Sequence, residues 1–351
     1  MTTTIVFTHG GGRFGNQLIQ FAHLIAMAEE QQDFDLVNCS FWPYANLCAG
    51  TSQNPLCFYS PAGHRPPALG RALARVIEGT LSSVPARLEE SLRFRLPRLP
   101  HKYWTSRSVD LHDTWGGVDV TAFGGLRDAD PPRPDWRTAE TFDLSSPELV
   151  ARLRRRGVVF FAGWPVRTRA AFDRHADTIR AFLGPARMFA DKAQAFIAAL
   201  RAQHRTLVGV QIRQQDYRSF NGGRFFFPSS QYREWMVQAA RVFGPDCCLV
   251  VASDEAQPTQ LLDGINAVWC TGKAVGPGHF VENIAELSLC DAILSPPSTF
   301  SGWAAFLGKV PFLTLMHAGQ VVRREDLSTG DPFRIIDPPP FEPHPTDAAS
   351  A

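Results

Sequence analysis

The sequence predicts an α/β fold made of two domains, each built on a parallel β-sheet. The length of 351 residues is typical of two domains. The second half alternates short apolar segments with segments of helical period, as βαβ units do. Near the N-terminus, a short apolar segment runs into the turn Gly10-Gly11-Gly12-Arg13 and then into a long apolar stretch. A strand, a glycine-rich turn and a helix in this order are typical of open parallel sheets.

The first half of the chain begins regularly and then loses its period. Residues 5–8 predict a strand, and the apolar stretch at 18–28 predicts a helix that follows Asn16 and the glycine-rich turn. Residues 40–146 are rich in proline, tryptophan and arginine and predict no regular element. Residues 158–162 predict another strand, so we expect the first domain to resume its sheet after a long irregular segment.

The second half is regular from residue 207 onward. Strands are predicted at 207–210, 248–252, 267–269, 292–294 and 311–315. Helices are predicted between them, at 231–243, 256–262, 281–289 and 299–307. A helical run stops at Leu183-Gly184-Pro185, and the domains are therefore predicted as 1–185 and 186–330, followed by a proline-rich tail at 331–351.

The composition argues against several classes of protein. The 35 basic and 34 acidic residues nearly balance, which argues against a dedicated nucleic-acid-binding protein. The seven cysteines follow no disulfide or zinc spacing, so we expect reduced thiols. The N-terminus shows no basic and apolar leader, and no later segment reaches the length of a membrane span. We therefore expect a cytoplasmic protein without a transmembrane segment.

Polar residues stand just past two of the predicted strands. Arg213 follows the strand at 207–210, at the edge where parallel sheets hold their ligands. Its planar, permanently charged fork suits phosphate oxygens, although a structural ion pair with Asp216 is the alternative. Asp254 ends the strand at 248–252 and could take a ribose or a base, or cap the next helix.

Two helix starts could hold an anion. Ser298 is a good N-cap, and the N–H groups of Thr299, Phe300 and Ser301 have no helical partner at the start of a helix. An ordinary N-cap without a ligand explains the same residues. Near the N-terminus, Arg13 and the glycine-rich turn either contact a polar ligand or form a tight turn only, since such a turn is a weak signal alone.

Four motifs in this order resemble those of the fucosyltransferase superfamily, over most of the chain from residue 10 to about 315. The motifs are Arg13-Phe14-Gly15-Asn16-Gln17, Ile212-Arg213 with Asp216-Tyr217, Ser253-Asp254, and Ser298-Thr299-Phe300-Ser301 with Trp303. The set is closest to bacterial α-1,2-fucosyltransferases of glycosyltransferase family 11, and its first turn also resembles that of protein O-fucosyltransferases. The resemblance implies a GT-B fold, with two Rossmann-like domains facing across a cleft.

The resemblance also implies an activity. The C-terminal half would hold GDP-fucose, and the N-terminal half would hold a glycan acceptor. The enzyme would move L-fucose to a glycan hydroxyl with inversion, as α-1,2-fucosyltransferases do, and it would need neither a metal nor another cofactor. Another nucleotide 6-deoxysugar as donor is one alternative, and a glycan- or nucleotide-binding protein of the same fold without turnover is another.

Roles follow for individual residues by the same resemblance. Arg213 would contact the β-phosphate and stabilise the departing diphosphate, while Ser298, Thr299 and Phe300 would hold the phosphates. Arg13, Gly15 and Asn16 would meet the fucose and the acceptor hydroxyl. The catalytic base is open between two possibilities. Asp216 has the right type and place but would be a weak base beside Arg213, and Asn16 could instead orient the hydroxyl in a dissociative reaction.

The chain departs from the family pattern at three positions. Gln211 stands where the family has histidine, and Gln214 stands where it has a second arginine. Asn283 takes the place of an aspartate that reads the guanine edge, and an amide oxygen is a poorer bidentate match than a carboxylate. Glu282, next to it, is an alternative reader of the base.

Two further patterns are weaker. The Asp-x-Asp strings at 33–35 and 128–130 are typical of metal-dependent glycosyltransferases, but we interpret both as incidental and expect no metal site. Aromatic side chains of the first half could stack on sugar faces or belong to the core. They are Phe41, Trp42, Tyr44, Phe58, Tyr59, Trp104, Trp115 and Trp136.

Overall fold

Each of two units of the chain, Met1–Arg187 and Met188–Ala351, contains a mainly parallel sheet. The computed structural model describes residues 2–9, 13–54, 56–65, 142–154, 158–162 and 166–329. Within these residues, both sheets alternate with helices along the chain, so the predicted α/β class is confirmed. Gly10–Gly12 of the glycine-rich turn and the proline-rich tail lie outside the described residues.

The sheet of the first unit consists of β1 (Thr3–His9), β2 (Phe34–Asn38), β3 (Phe58–Tyr59) and β5 (Val158–Ala162). Its strand order is β3-β2-β1-β5. The central strand β1 pairs in parallel with both β2 and β5, and β3 is an antiparallel edge. The strands predicted at 5–8 and 158–162 are thereby confirmed.

Helix α1 (Phe14–Gln31) connects β1 to β2 and is buried along most of its length. Apolar residues on all of its sides, with few polar ones such as Gln20 and His23 between them, suit a helix enclosed by other elements, since a surface helix would have separate polar and apolar faces. Gln32 ends it in the left-handed region (φ 56°) and donates its N–H to the carbonyl of Ala28 at 2.8 Å. The helix is thus confirmed, but it begins at Phe14, slightly before the start predicted after Asn16.

Shorter elements complete the first unit. A two-stranded parallel sheet joins β4 (Phe142–Asp143) to β6 (Val166–Arg167). The helices are α2 (Pro147–Arg154), α3 (Arg169–Arg174), α4 (Ala176–Leu183) and a 3-10 helix at Cys39–Leu47. Helix α4 ends at Leu183, where the sequence predicts a break before Gly184-Pro185.

The sheet of the second unit is parallel throughout and has the strand order β11-β10-β7-β8-β9. Its strands are β7 (Thr206–Ile212), β8 (Cys247–Ser253), β9 (Ala267–Trp269), β10 (Ala292–Ser295) and β11 (Phe312–Thr314). The helices are α5 (Arg187–Arg201), α6 (Ser229–Phe243), α7 (Phe280–Leu287) and α8 (Thr299–Gly308). All five predicted strands and three of the four predicted helices are confirmed. The helix predicted at 256–262 is wrong in length, since only a short 3-10 helix forms, at Thr259–Leu262. The cause is Pro258, because the residue before a proline disfavours the helical conformation.

One hydrophobic cluster of the second unit lies between the sheet and helix α6, while buried residues of α7 and α8 such as Leu287 and Trp303 belong to the core as well. Strands β7 and β8 are buried almost completely, as expected for central parallel strands covered on both faces. Trp235 of α6 packs edge-on against Phe227 and Tyr232 and donates its indole N–H to the carbonyl of Gln320 at 2.8 Å. This packing fixes the sheet from which the site residues project.

The strand order of each unit reverses beside its first strand. In the second unit the chain runs from β7 out to β8 and β9, then crosses to β10 and β11 on the opposite side of β7. In the first unit, β2 and β5 likewise lie on opposite sides of β1. Ligands of open α/β sheets bind at the carboxyl ends of the strands where this reversal occurs. The relevant edges are those after β7 and β10, and after β1 and β5.

Candidate functional site

Arg213 is the first residue after β7 and its backbone is anchored to helix α6. The phenol oxygen of Tyr232 accepts the N–H of Arg213 at 3.1 Å, and the same hydroxyl lies 3.3 Å from the carbonyl of Arg213. Tyr232 is fully buried, and burial raises the pKa of its phenol far above its usual range, so it stays a neutral hydroxyl. The side chain of Arg213 therefore leaves the sheet from a fixed point, and 18% of it is exposed.

The guanidinium of Arg213 lies between two carboxylates. Its Nη1 is 3.0 Å from Oδ2 of Asp254, and its Nη2 is 2.6 Å from Oδ1 of Asp216. Both contacts are ion pairs without hydrogen-bond geometry, and among the described residues the buried Oδ1 of Asp216 has no hydrogen-bond partner. The ring of Tyr217 lies 5.3 Å from Cζ of Arg213. The cation is thus compensated by one carboxylate of its own loop, Asp216, and by one that follows β8, Asp254.

Asp254 is held mainly by backbone donors. Its Oδ1 accepts the N–H of Gln214 at 2.9 Å, and its Oδ2 accepts the N–H of Gln215 at 3.3 Å. Burial raises the pKa of Asp254 above its usual range, although the Gln214 N–H and the Arg213 charge both oppose that rise. The sequence left Asp254 open between ligand contact and helix capping. The structure places its carboxylate against Arg213 and the loop backbone.

The loops after β7 and β10 are joined by hydrogen bonds. Tyr217 donates its hydroxyl to the carbonyl of Pro297. Ser295 donates to Oε1 of Gln211 at 3.2 Å, and Ser301 donates to Ser295 at 2.7 Å. These contacts hold the two sides of the strand reversal together. The buried amide of Gln211 at the end of β7 is therefore used in a hydrogen bond to Ser295 of β10.

Ser298 caps helix α8 as the sequence predicts. Its Oγ accepts the N–H of Phe300 at 3.2 Å, and its backbone is extended (φ −150°). Ser301 is buried and uses its hydroxyl inside the protein, while Thr299 and Phe300 are half-buried at the first turn. The N-terminus of α8 therefore begins at the same sheet edge as Arg213.

Gln214 faces the interior. Its Nε2 donates to the carbonyl of Phe227 at 2.8 Å, and its Oε1 accepts the Nε2 of Gln257 at 2.8 Å. Gln257 also donates to Ser253 at 3.0 Å. Sequence reasoning missed Gln257 and Tyr232, because nothing in their local pattern distinguishes them from ordinary surface and core residues of α/β proteins.

Glu282 and Asn283 lie at the start of helix α7 and are both buried. The carboxylate of Glu282 accepts hydrogen bonds from Lys192 and Thr271, each at 3.1 Å. Burial by itself raises the pKa of Glu282, but the bonds from Lys192, the His279 backbone and Thr271 outweigh it and lower the pKa.

Asn283 is only half satisfied. Its Nδ2 donates to the carbonyl of Lys273 at 2.8 Å, whereas its Oδ1 has no hydrogen-bond partner in the described part of the chain. The loop that faces these side chains needs glycine, since a Cβ at Gly272 would collide with Asn283 and one at Gly278 with Glu282. The buried acceptor that lacks a donor here is therefore Oδ1 of Asn283.

In the first unit, the described residues at the strand reversal include Arg13, Gly15, Asn16 and Asn38. Arg13 is exposed and precedes α1 without capping it through its side chain, and Gly15 is buried. Asn16 is half-buried, and its carbonyl accepts the Nε2 of Gln20 at 3.2 Å. Asn38, at the end of β2, accepts the N–H of Phe41 at 3.0 Å through Oδ1, while its Nδ2 has no partner among the described residues.

The aromatic candidates of the first unit divide by burial. Phe41, Tyr44, Phe58 and Tyr59 are buried, so in this unit they belong to the core. Trp42 is half-buried, and its indole N–H finds no acceptor within the described ranges. Trp104, Trp115 and Trp136 lie outside the described residues.

The acidic strings and the cysteines have internal explanations. Asp33 pairs with Arg154 at 2.9 Å, and Asp35 lies 3.1 Å from Nδ1 of His64. The string at 128–130 lies outside the described residues. All seven cysteines are free thiols, as the sequence predicts. Among the described residues there is no cluster of three or more His, Cys, Asp or Glu that could hold a metal, and no helix is long and apolar enough to cross a membrane.

Comparisons with known proteins find resemblance in structure only. No family model and no curated protein matches the sequence. A crystal structure of POFUT1 in complex with GDP-fucose is 17% identical, with a TM-score of 0.46, covering 92% of this chain and 96% of that one. A mutant of Arabidopsis thaliana FUT1 in complex with GDP is 9% identical, with a TM-score of 0.48, covering 93% and 74%. NodZ alpha-1,6-fucosyltransferase soaked with GDP-fucose is 13% identical, with a TM-score of 0.45, covering 92% and 98%. Similarities this distant carry no argument about activity.

Proposed function

We propose that this protein is a glycosyltransferase that moves L-fucose from GDP-fucose to a hydroxyl of a glycan. One observation carries the proposal: Arg213 is held at the carboxyl end of β7, beside the strand reversal that also begins helix α8 at Ser298. An arginine fork and a helix N-terminus both favour phosphate oxygens. The order of the four sequence motifs supports fucose as the sugar and GDP as the carrier.

The chemistry requires charge stabilisation on the leaving group. As the bond between the sugar C1 and the diphosphate breaks, negative charge grows on the β-phosphate. A fixed guanidinium stabilises that charge more in the transition state than in the bound donor, and such stabilisation usually dominates catalysis. Arg213 meets this need because its backbone is anchored by Tyr232 and its fork is held by Asp254.

The acceptor hydroxyl attacks the face of the sugar opposite the diphosphate, which inverts the configuration at C1. Its proton passes to Asp216. In a dissociative reaction the proton passes instead to water, while Asn16 orients the hydroxyl. Arg213 and the first turn of α8 supply the positive electrostatic field that a divalent ion supplies in other transferases, so the reaction proceeds without a metal. An α-1,2 linkage, a GT-B arrangement and a cytoplasmic location remain predictions from the sequence.

A second function is favoured by a specific observation. Gln211 and Gln214 stand where the resembled family has a histidine and an arginine. The side-chain amides of both form hydrogen bonds inside the protein. A donor site with fewer cations would bind a nucleotide sugar without transferring it efficiently.

A third possibility is a different nucleotide 6-deoxysugar as donor, one that carries another base. The unsatisfied amide oxygen of Asn283 favours it, because an amide discriminates less sharply between bases than a carboxylate.

Two measurements test the proposal. Thermal unfolding with GDP, UDP, CDP and their sugars identifies the donor, since a ligand that binds only the native state raises the unfolding temperature. Release of GDP from GDP-fucose, measured with and without a mixture of soluble glycans, then separates transfer from binding. Stabilisation by GDP-fucose with glycan-dependent GDP release supports the transferase. Stabilisation without release favours the binding protein, and stabilisation by another nucleotide sugar alone would overturn fucose as the donor.

A further inference from the structure

The two carboxylates beside Arg213 differ in how firmly they are held. The side chain of Asp254 is 11% exposed, and it accepts hydrogen bonds from the backbone N–H groups of Gln214 and Gln215 as well as contacting Nη1. The side chain of Asp216 is 40% exposed. Its Oδ1 is buried and forms the 2.6 Å ion pair with Nη2, but within the described residues, unlike Asp254, it accepts no backbone hydrogen bond.

Asp254 cannot leave its place without disrupting the loop after β7. The carboxylate satisfies two consecutive backbone donors, and Gln215 returns a side-chain hydrogen bond to the carbonyl of Asp254. Loss of these contacts would leave backbone N–H groups unpaired in a partly buried loop, which is costly. Asp254 therefore fixes the orientation of the Arg213 fork.

Asp216 can leave at little cost. It lies in the short 3-10 turn Asp216–Arg218, and much of its side chain already meets solvent. On leaving, the carboxylate gives up one ion pair but no hydrogen bond to the described residues, and the solvent that already reaches the side chain hydrates it. A phosphoryl group brings more negative charge and geometry better matched to the guanidinium edge than a misaligned carboxylate oxygen.

We propose that Asp254 is a positioning residue for Arg213, and that Asp216 occupies the place on Nη2 that an anionic phosphoryl group takes on binding. Asp216 then swings into solvent, where it is free of the arginine. The assignment rests on the proposed function for the identity of the anion, a nucleoside diphosphate. In this assignment Asp254 strengthens anion binding, whereas Asp216 weakens it.

The opposite signs distinguish the proposal from simple electrostatics. Asp216→Asn and Asp254→Asn each remove one negative charge beside the same guanidinium, so charge alone predicts that both tighten anion binding. We expect Asp216→Asn to tighten GDP by about five- to tenfold, because the phosphoryl group no longer displaces a competing anion. We expect Asp254→Asn to weaken GDP by a similar factor, because the fork loses its orientation.

The experiment is calorimetric titration of the full chain with GDP, inorganic pyrophosphate and guanosine. Guanosine lacks phosphate, so neither variant should change its affinity, and unchanged guanosine binding also shows that Asp254→Asn keeps the fold. Glu255→Gln is the matched control, since Glu255 is an adjacent carboxylate that pairs with Arg218 (2.6 Å) rather than Arg213. In an Arg213→Gln background the gain from Asp216→Asn should vanish.

Several outcomes overturn the assignment. These are unchanged or weaker GDP binding by Asp216→Asn, tighter binding by Asp254→Asn, an equal gain from Glu255→Gln, or no binding of GDP or pyrophosphate by any variant. The proposed function fails separately. If the expected binding pattern is found but no GDP-fucose is turned over, the roles of the two acids stand and the transferase activity does not.

Discussion

Strand register places Asp254 beside Arg213, the residue on which the candidate site depends most. Ile212 of β7 pairs with Ser253 of β8, so the next residue of each strand, Arg213 and Asp254, leaves the sheet side by side. Parallel strands of equal reach end at one edge, which brings an arginine and a carboxylate together without any local sequence signal. The fixed position of the guanidinium is the basis of the first prediction.

Replacement of Arg213 should remove activity and leave the fold. We expect Arg213→Ala to lower kcat by about 100- to 1,000-fold, the usual cost of losing one preorganised charge-stabilising donor. Arg213→Lys should recover little, because a point charge cannot reproduce the fork. Steady-state kinetics with GDP-fucose and circular dichroism of each variant test this. Arg213→Ala with near wild-type kcat would contradict the assigned role.

The base preference should depend on Asn283 more than on Glu282. Oδ1 of Asn283 is an unsatisfied acceptor, whereas Glu282 already binds Lys192 and Thr271. We expect Asn283→Ala to lower the ratio of GDP to IDP affinity by roughly three- to tenfold, since IDP lacks the N2 amino group. Glu282→Gln should leave that ratio unchanged. Titration of both nucleotides into each variant measures it, and a ratio unaffected by either substitution would place the base elsewhere.

At the scale of elements, regular alternation made the second sheet predictable. Strands such as Ala267–Trp269 stand out because short apolar runs are separated by helical periods. The same reasoning located Arg213 and Ser298, since each directly follows a strand. It could not find the clamp on Arg213, because Asp254 and Tyr232 meet it only through strand register and helix packing.

The first unit was less predictable for a physical reason. Strand β3 has two residues, and the 3-10 helix Cys39–Leu47 contains Pro43, so neither is long enough or regular enough to set a hydrophobic period. Such elements form because long-range contacts stabilise them. Ser40, for example, donates to Gln17 of α1 at 2.8 Å.

The packing of α7 on β7 depends on a glycine in the middle of the strand. A Cβ at Gly209 would lie 2.7 Å from Cδ2 of Leu287. We expect Gly209→Ala to lower the free energy of unfolding by about 1–3 kcal/mol through overpacking. Leu287→Ala should cost about 2–5 kcal/mol by leaving a cavity. The double variant should lose less than the sum, which urea unfolding would measure, and strict additivity would show that the two side chains do not compete for space.

The contact between α1 and α3 should be sensitive to acid. Hydrogen bonds from Arg174, at 2.8 and 2.9 Å, and from His175 lower the pKa of Glu30 from 4.5 to about 2. A carboxyl group whose pKa is lower in the folded state stabilises the fold above pH 4.5, and loses that effect as the pH falls toward 2. The unfolding temperature of Glu30→Gln should therefore lie below that of the wild type at pH 6 and converge with it near pH 2. A constant difference over this range would mean that the pair contributes nothing.

At the scale of the whole molecule, the charge balance directs attention to local fields. The chain carries a net charge of only +1, so a doubly charged diphosphate is not attracted by the protein as a whole. Binding must depend on where single cations and helix ends stand. In the second unit, Arg213 follows β7 and helix α8 follows the neighbouring strand β10. Both therefore begin at the carboxyl edge of the sheet, where the strand order reverses.

This arrangement predicts transfer without a divalent ion. Arginine keeps its charge at every accessible pH, and the first turn of a helix adds partial positive charge, so the leaving diphosphate can be stabilised by protein groups alone. We expect GDP release from GDP-fucose to keep its rate in excess EDTA and to gain nothing from added Mg²⁺ or Mn²⁺. The dependence of GDP affinity on salt concentration is a complementary measurement. We expect it to be weak, because a partly buried arginine–phosphate contact is screened less than an exposed one. Loss of activity in EDTA, with recovery on adding Mn²⁺, would show that a metal rather than Arg213 carries the diphosphate charge.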